Sequence, residues 1–218
     1  MRTSPWILLA LTALSAAGAT AQESARARAE RTLPTPVFEE LSALATSVEP
    51  SGIPEEPLFA KALEGAAKQV PPERLVPAVR EYAGRLRVSR ESLGADADVP
   101  LLVAGADALQ RGVAPSALRG LPRDRPRSPM ALLVLAELVE SGVPVDRALD
   151  IVRDAMAQRS RDERMLDASA RVRALIRQGV APRDAVERVR AMLRNAGRAG
   201  PALPPGSEPV RPRGRQGR

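Results

Sequence analysis

Apolar positions recur three and four residues apart through most of the middle of the chain, and nowhere do they alternate strictly for long. After Gly142 the residues Val145, Ala148, Leu149, Val152, Ala155 and Met156 fall on one stripe. Asp146, Arg147, Asp150, Arg153 and Asp154 occupy the other face, the pattern of a helix buried along one side. The stripe returns as Leu75, Val76, Val79, Tyr82, Ala83 and Leu86, and again as Ala185, Val186, Val189, Met192 and Leu193. This spacing predicts helices over 36–48, 56–68, 72–86, 99–111, 115–119, 129–141, 144–158, 163–178 and 182–195. Pro77 falls inside one of them, where a missing N–H and a ring clash predict a kink.

One phrase joins these helices: an apolar run, Gly, Val or Ile, then proline opening the next run. It is written Gly52-Ile53-Pro54, Gly112-Val113-Ala114-Pro115, Gly142-Val143-Pro144 and Gly179-Val180-Ala181-Pro182, with a copy lacking glycine at Gln69-Val70-Pro71-Pro72. Glycine accepts the left-handed conformation that ends a helix, the next residue packs back on the last turn, and proline suits the first turn of a new helix. The expected fold is therefore all-α, an irregular stack of helical hairpins, either a short α-solenoid-like array or a helix bundle. Residues 130–139 are apolar on nearly every side. Large apolar side chains stabilise by roughly 1.5–3 kcal/mol each when buried, so this helix is expected at the centre, covered on more than one face.

Composition divides the 218 residues further. Residues 1–21 read as a cleavable signal peptide. Arg2 supplies the positive start, residues 6–17 an apolar run of 12, and Ala19-Thr20-Ala21 the small residues a signal peptidase reads. Twelve apolar residues fall short of the roughly 20 that span a bilayer, and no later segment offers a transmembrane run. Export to the periplasm or beyond is the expectation. Residues 22–35 are expected to be a flexible N-terminal segment, 36–195 the all-helical domain with a hinge at 87–98, and 196–218 a disordered Pro/Gly/Arg-rich tail.

Charge is concentrated rather than spread. The net charge of +7 owes much to two segments: Arg119, Arg123, Arg125 and Arg127, and the tail with Arg211, Arg213, Arg215 and Arg218. Both are candidate anion contacts, which salt would weaken steeply.

Catalytic chemistry is scarce. The chain has no His and no Cys, which removes the commonest general base, thiol catalysis, disulfides and nearly every zinc or haem site. Lys61 and Lys68 have no serine three residues before them, so the Ser-x-x-Lys arrangement is missing. Glu39-Glu40 and Glu55-Glu56 are the adjacent carboxylate pairs a hydrolase could use, but acidic residues beside a helix start favour its dipole without any reaction. Asp96, Asp98 and Asp107 suggest calcium only weakly, and Asp98 reads better as a helix cap. No phosphate-binding glycine loop occurs. Aromatic residues make up 2%, and Phe38, Phe59 and Tyr82 each sit in an apolar stripe, so stacking platforms for sugars or single-stranded nucleic acid are not expected.

The sequence thus points to an exported, non-enzymatic helical module with no cofactor and no metal, mediating protein–protein interaction in the cell envelope. The alternative is an envelope-associated binder of anionic polymer, such as lipid head groups, wall polymer or extracellular DNA, acting through the Arg-rich tail.

Overall fold

The structure, a computed structural model, describes residues 23–122, 128–157 and 161–198. The described residues form ten α-helices and no strand: α1 (Ala25–Thr32), α2 (Thr35–Val48), α3 (Glu56–Ala67), α4 (Pro72–Leu93), α5 (Val99–Gln110), α6 (Pro115–Arg119), α7 (Pro129–Glu140), α8 (Val145–Met156), α9 (Arg161–Arg177) and α10 (Pro182–Arg198). A 3-10 turn, Glu49–Ser51, follows α2. The expected signal peptide and all but the first residues of the expected tail lie outside the described residues. Among the described residues, no helix is long and apolar enough to cross a membrane.

The repeated phrase is a repeated backbone motif. Gly112, Gly142 and Gly179 have φ of +87°, +82° and +87°. At each, the N–H of the following valine reaches back to the carbonyl five residues before it: Val113 to Ala108 at 3.0 Å, Val143 to Leu138 at 3.1 Å, Val180 to Leu175 at 3.1 Å. This is the Schellman closure, which satisfies carbonyls the helix end would leave orphaned. The copy without glycine adopts it too. Val70 N–H donates to Gly65 O at 3.0 Å, and Gln69 is held at φ +57°.

These reversals lay the helices in two rows. In one row α1 packs on α3, α5 on α7, and α7 on α9; in the other α2 packs on α4, α4 on α6, α6 on α8, and α8 on α10. Chain neighbours such as α4 with α5 and α7 with α8 tie the rows together. Helices that meet their second neighbours along the chain make a short α-solenoid. Its apolar residues form one cluster from Ala25 to Leu193. The α7 helix sits at the middle as expected, against α5, α8 and α9, with Leu132, Val134, Leu135 and Leu138 fully buried.

Arginine forks clamp helices that the apolar rows bring together. Arg190 of α10 reaches Asp150 and Asp154 of α8, both at 2.9 Å. Arg153 donates two hydrogen bonds, at 3.0 and 2.8 Å, to the Gly120 carbonyl that follows α6. A planar guanidinium with several donors suits such two-point contacts better than an ammonium.

Two expectations need correction. Residues 22–35 are not a flexible segment where they are described, because residues 25–32 are α1. Ala25 and Ala29, one turn apart, are fully buried against α3, where side chains this small let two helix backbones approach. Glu56 accepts the Ala25 N–H at 2.9 Å, and Arg26 pairs with Glu55 at 2.7 Å. The helix expected to stop at 86 continues through Pro77 and on to Leu93. Of the segment 87–98, only residues 94–98 are loop, and its serines Ser89 and Ser92 are buried. Ser89 Oγ donates to the Leu102 carbonyl at 3.0 Å, and Gly105 of α5 lets that helix approach so closely that a Cβ there would collide with Ser89 Oγ.

Candidate functional site

Among the described helices, α3 and α5 are the row neighbours that make no extended packing contact with each other. Between them opens a cleft of about 230 Å³. One face of α3 supplies Pro57, Ala60, Lys61 and Glu64, successive turns of a single stripe; α5 supplies Val103 and Asp107, four residues apart; α4 supplies Tyr82. The volume falls below the roughly 300–1,000 Å³ of sites that enclose a drug-sized ligand. It suits one side chain or a small polar molecule.

Tyr82 comes from the apolar stripe of α4 and is 4% exposed. The Lys61 ammonium lies 5.8 Å and the Arg85 guanidinium 5.9 Å from its ring centroid, within the range of cation–π attraction. Its hydroxyl makes no hydrogen bond to a described residue. Burial pushes the phenol up to about 12, the nearby Asp107 carboxylate adds to the rise, and Arg85 opposes it. The group stays neutral at ordinary pH.

The charges around it are unequally matched. Lys68 and Lys61 both donate to Glu64, the latter at 2.9 Å, and this pair of donors holds the Glu64 carboxyl down to about 2. Arg85 meets Gln110 Oε1 at 3.3 Å and Glu81 at 3.8 Å. Asp107 is exposed and has no ion-pair partner among the described residues. Every cation facing the ring therefore has a polar partner, and one carboxylate is left over.

The residues singled out in the sequence are distributed differently. Arg119 ends α6 and is exposed, where a cation suits the negative end of the helix. Arg123, Arg125, Arg127, Arg211, Arg213, Arg215 and Arg218 lie outside the described residues. The paired carboxylates hold helices together: Glu40 meets Arg80 at 2.9 Å, while Glu55 and Glu56 fasten α1 to α3. Glu39 is exposed on α2. Asp98 caps α5 through a bond to Leu101 N–H at 2.9 Å. Asp107 lies nine residues further along that helix, about 14 Å at 1.5 Å per residue, too far to share an ion with Asp98. Among the described residues no group of three or more potential ligands could hold a metal.

Two other hollows carry less. One, of about 390 Å³, has Thr46, Glu49 and Glu55 on its walls, but Glu55 is bound by Arg26 and the Thr46 hydroxyl by Ser42 O. The other, of about 420 Å³, runs between α4 and α5 past Gly84, Arg85 and Val88; Arg85 keeps its Nε buried without a partner, while its terminal nitrogens meet Gln110 and Glu81. Compared with known protein families, with characterised proteins and with solved structures, the chain matches none of them.

Proposed function

We propose that the protein is exported and non-enzymatic, a short helical array that binds another protein in the cell envelope. The observation that carries this reading is the break between α3 and α5, which leaves a cleft with polar groups along the edge of an otherwise continuous row. Serial helices present such edges as an extended recognition surface. Three of the four paired carboxylates, Glu40, Glu55 and Glu56, fasten α1, α2, α3 and α4 to one another, which leaves Glu39 without its neighbour as a catalytic partner. Export rests on the signal-like residues 2–21.

The lysines make the test local. Lys61 and Lys68 are the two lysines in the chain; Lys61 lines the cleft, and Lys68, just past the end of α3, pairs with Glu64 of its wall. An amine-reactive crosslinker applied to cells reports on that surface and on the terminal amine. The full chain and a chain ended at Asn195 are expected to give the same discrete protein adduct in the envelope fraction. Loss of the adduct with the tail would move the interaction to the Arg-rich segment. Absence of a protein adduct in both would overturn the reading.

A further inference from the structure

We propose that the α3–α5 cleft receives one cationic side chain, a guanidinium or ammonium, from the bound protein, with Asp107 as its counter-ion and the Tyr82 hydroxyl oxygen as a hydrogen-bond acceptor. The proposal rests on the protein-binding reading and names the chemistry of its contact.

Three observations converge. First, the lining of the cleft contains two carboxylates, Glu64 and Asp107, against one cation, Lys61. Lys68 and Arg85 flank it, but Lys68 is spent on Glu64, and Arg85 meets Gln110 and Glu81. The named charges sum to zero, but two lysines share Glu64, which leaves Asp107 as the cleft carboxylate without an ion-pair partner among the described residues. Second, Tyr82 is a polar side chain 4% exposed that lines the cleft and has an unused hydroxyl. The ring is buried while the hydroxyl reaches the cleft, so a charged donor entering from outside can take up its free lone pair in place of water. Third, the volume of about 230 Å³ accommodates a single long side chain, and the apolar walls Pro57, Ala60 and Val103 suit its methylene stem, as basic side chains lay their stems along apolar surface. An anion entering the same space would meet Asp107 directly.

Lys61 then acts as a competitor. Its ammonium already lies near the Tyr82 ring and repels an incoming cation, while Lys68 keeps Glu64 neutralised without it. This gives a pattern of signs that an anion site would reverse. Asp107→Asn weakens binding of a cation and Lys61→Met strengthens it.

Tyr82 is the sole tyrosine of the chain, so a tyrosine ring carbon-13 label gives one NMR signal at the cleft in the full-length protein. The probes are N-acetyl-arginine amide and N-acetyl-glutamate amide. Ligands this small are expected to bind at about the millimolar level, so both are titrated well above it. The arginine probe is expected to shift the Tyr82 signal, about tenfold more weakly or worse in Asp107→Asn and more tightly in Lys61→Met, with a dependence on salt. Both replaced side chains are solvent-accessible, and far-ultraviolet circular dichroism with an unchanged urea midpoint reports that each variant folds. A signal that ignores the arginine probe, or follows the glutamate probe with the opposite response to the two variants, overturns the proposal. Either result leaves the crosslinking test of protein binding standing on its own.

Discussion

Replacing Gln69 by glycine should stabilise the protein, although the change removes a side chain and adds no contact. Gln69 occupies the left-handed position of a Schellman turn at φ +57°, where the three closely matching copies have glycine. Its side chain is exposed and makes no interaction with a described residue. An L-residue in this conformation costs about 1–2 kcal/mol. Glycine removes that cost but gives the unfolded chain more freedom, which returns about 0.4–1 kcal/mol. The net gain is about 0.5–1 kcal/mol, an increase of ~1–4 °C in Tm for a domain of this size. The reciprocal change is Gly112→Ala. A Cβ at Gly112 meets nothing within 4 Å, so the whole penalty is conformational, and a loss of similar size is expected. Urea unfolding followed by far-ultraviolet circular dichroism measures both. A Gln69→Gly variant less stable than the parent, or a neutral Gly112→Ala, would refute the claim that one turn geometry recurs along the chain.

Tyr82 should titrate abnormally. Folding favours its neutral phenol, so the stability this confers is complete below about pH 10 and lost as pH rises from 10 toward about 12. Phenolate absorbance should have a midpoint well above 10 or coincide with loss of helix, and a midpoint of 10 with helicity intact would contradict the burial of the ring. Gly105→Ala should destabilise by about 1–3 kcal/mol despite alanine's better helix propensity, because the added carbon overpacks α4 against α5. Adding Ser89→Ala should recover part of that loss, and a chemical-denaturation double-mutant cycle measures the coupling. Ala29→Leu should cost about 1–3 kcal/mol in the same assay, since α1 is packed against α3; a neutral effect would mean that α1 is not docked.

Much of the fold was legible because hydrophobic spacing and turn chemistry agree. The stripe through Val145 and Met156 and the glycine after each run set α8 and its neighbours within a residue or two. The α1 helix escaped notice because its only apolar residues before Leu33 are alanines among arginines, a run whose burial depends on a close-packed partner 30 residues away. The end of α4 escaped for a related reason. Ser89 and Ser92 read as loop residues, and only the close approach at Gly105 makes small polar side chains suitable for burial.

The candidate site was legible as residues but not as a place. Lys61 read as a lysine without the serine a Ser-x-x-Lys site needs, Tyr82 as part of an apolar stripe, and Asp107 as one of three acids that weakly suggest calcium. Their meeting depends on α3 and α5 failing to pack across α4, which no local pattern encodes. One signal was available: both lysines, in α3 and at its C-cap, and the sole tyrosine, in α4, fall within one helical hairpin.

The most direct measurement places a photo-crosslinking amino acid at Ala60, an exposed residue of the cleft wall, and separately at Ala191, exposed on α10. Both variants are irradiated in living cells. Recognition through the α3–α5 cleft predicts a discrete protein adduct from position 60 and none from position 191. Adducts from position 191 alone, or none from position 60, would contradict it.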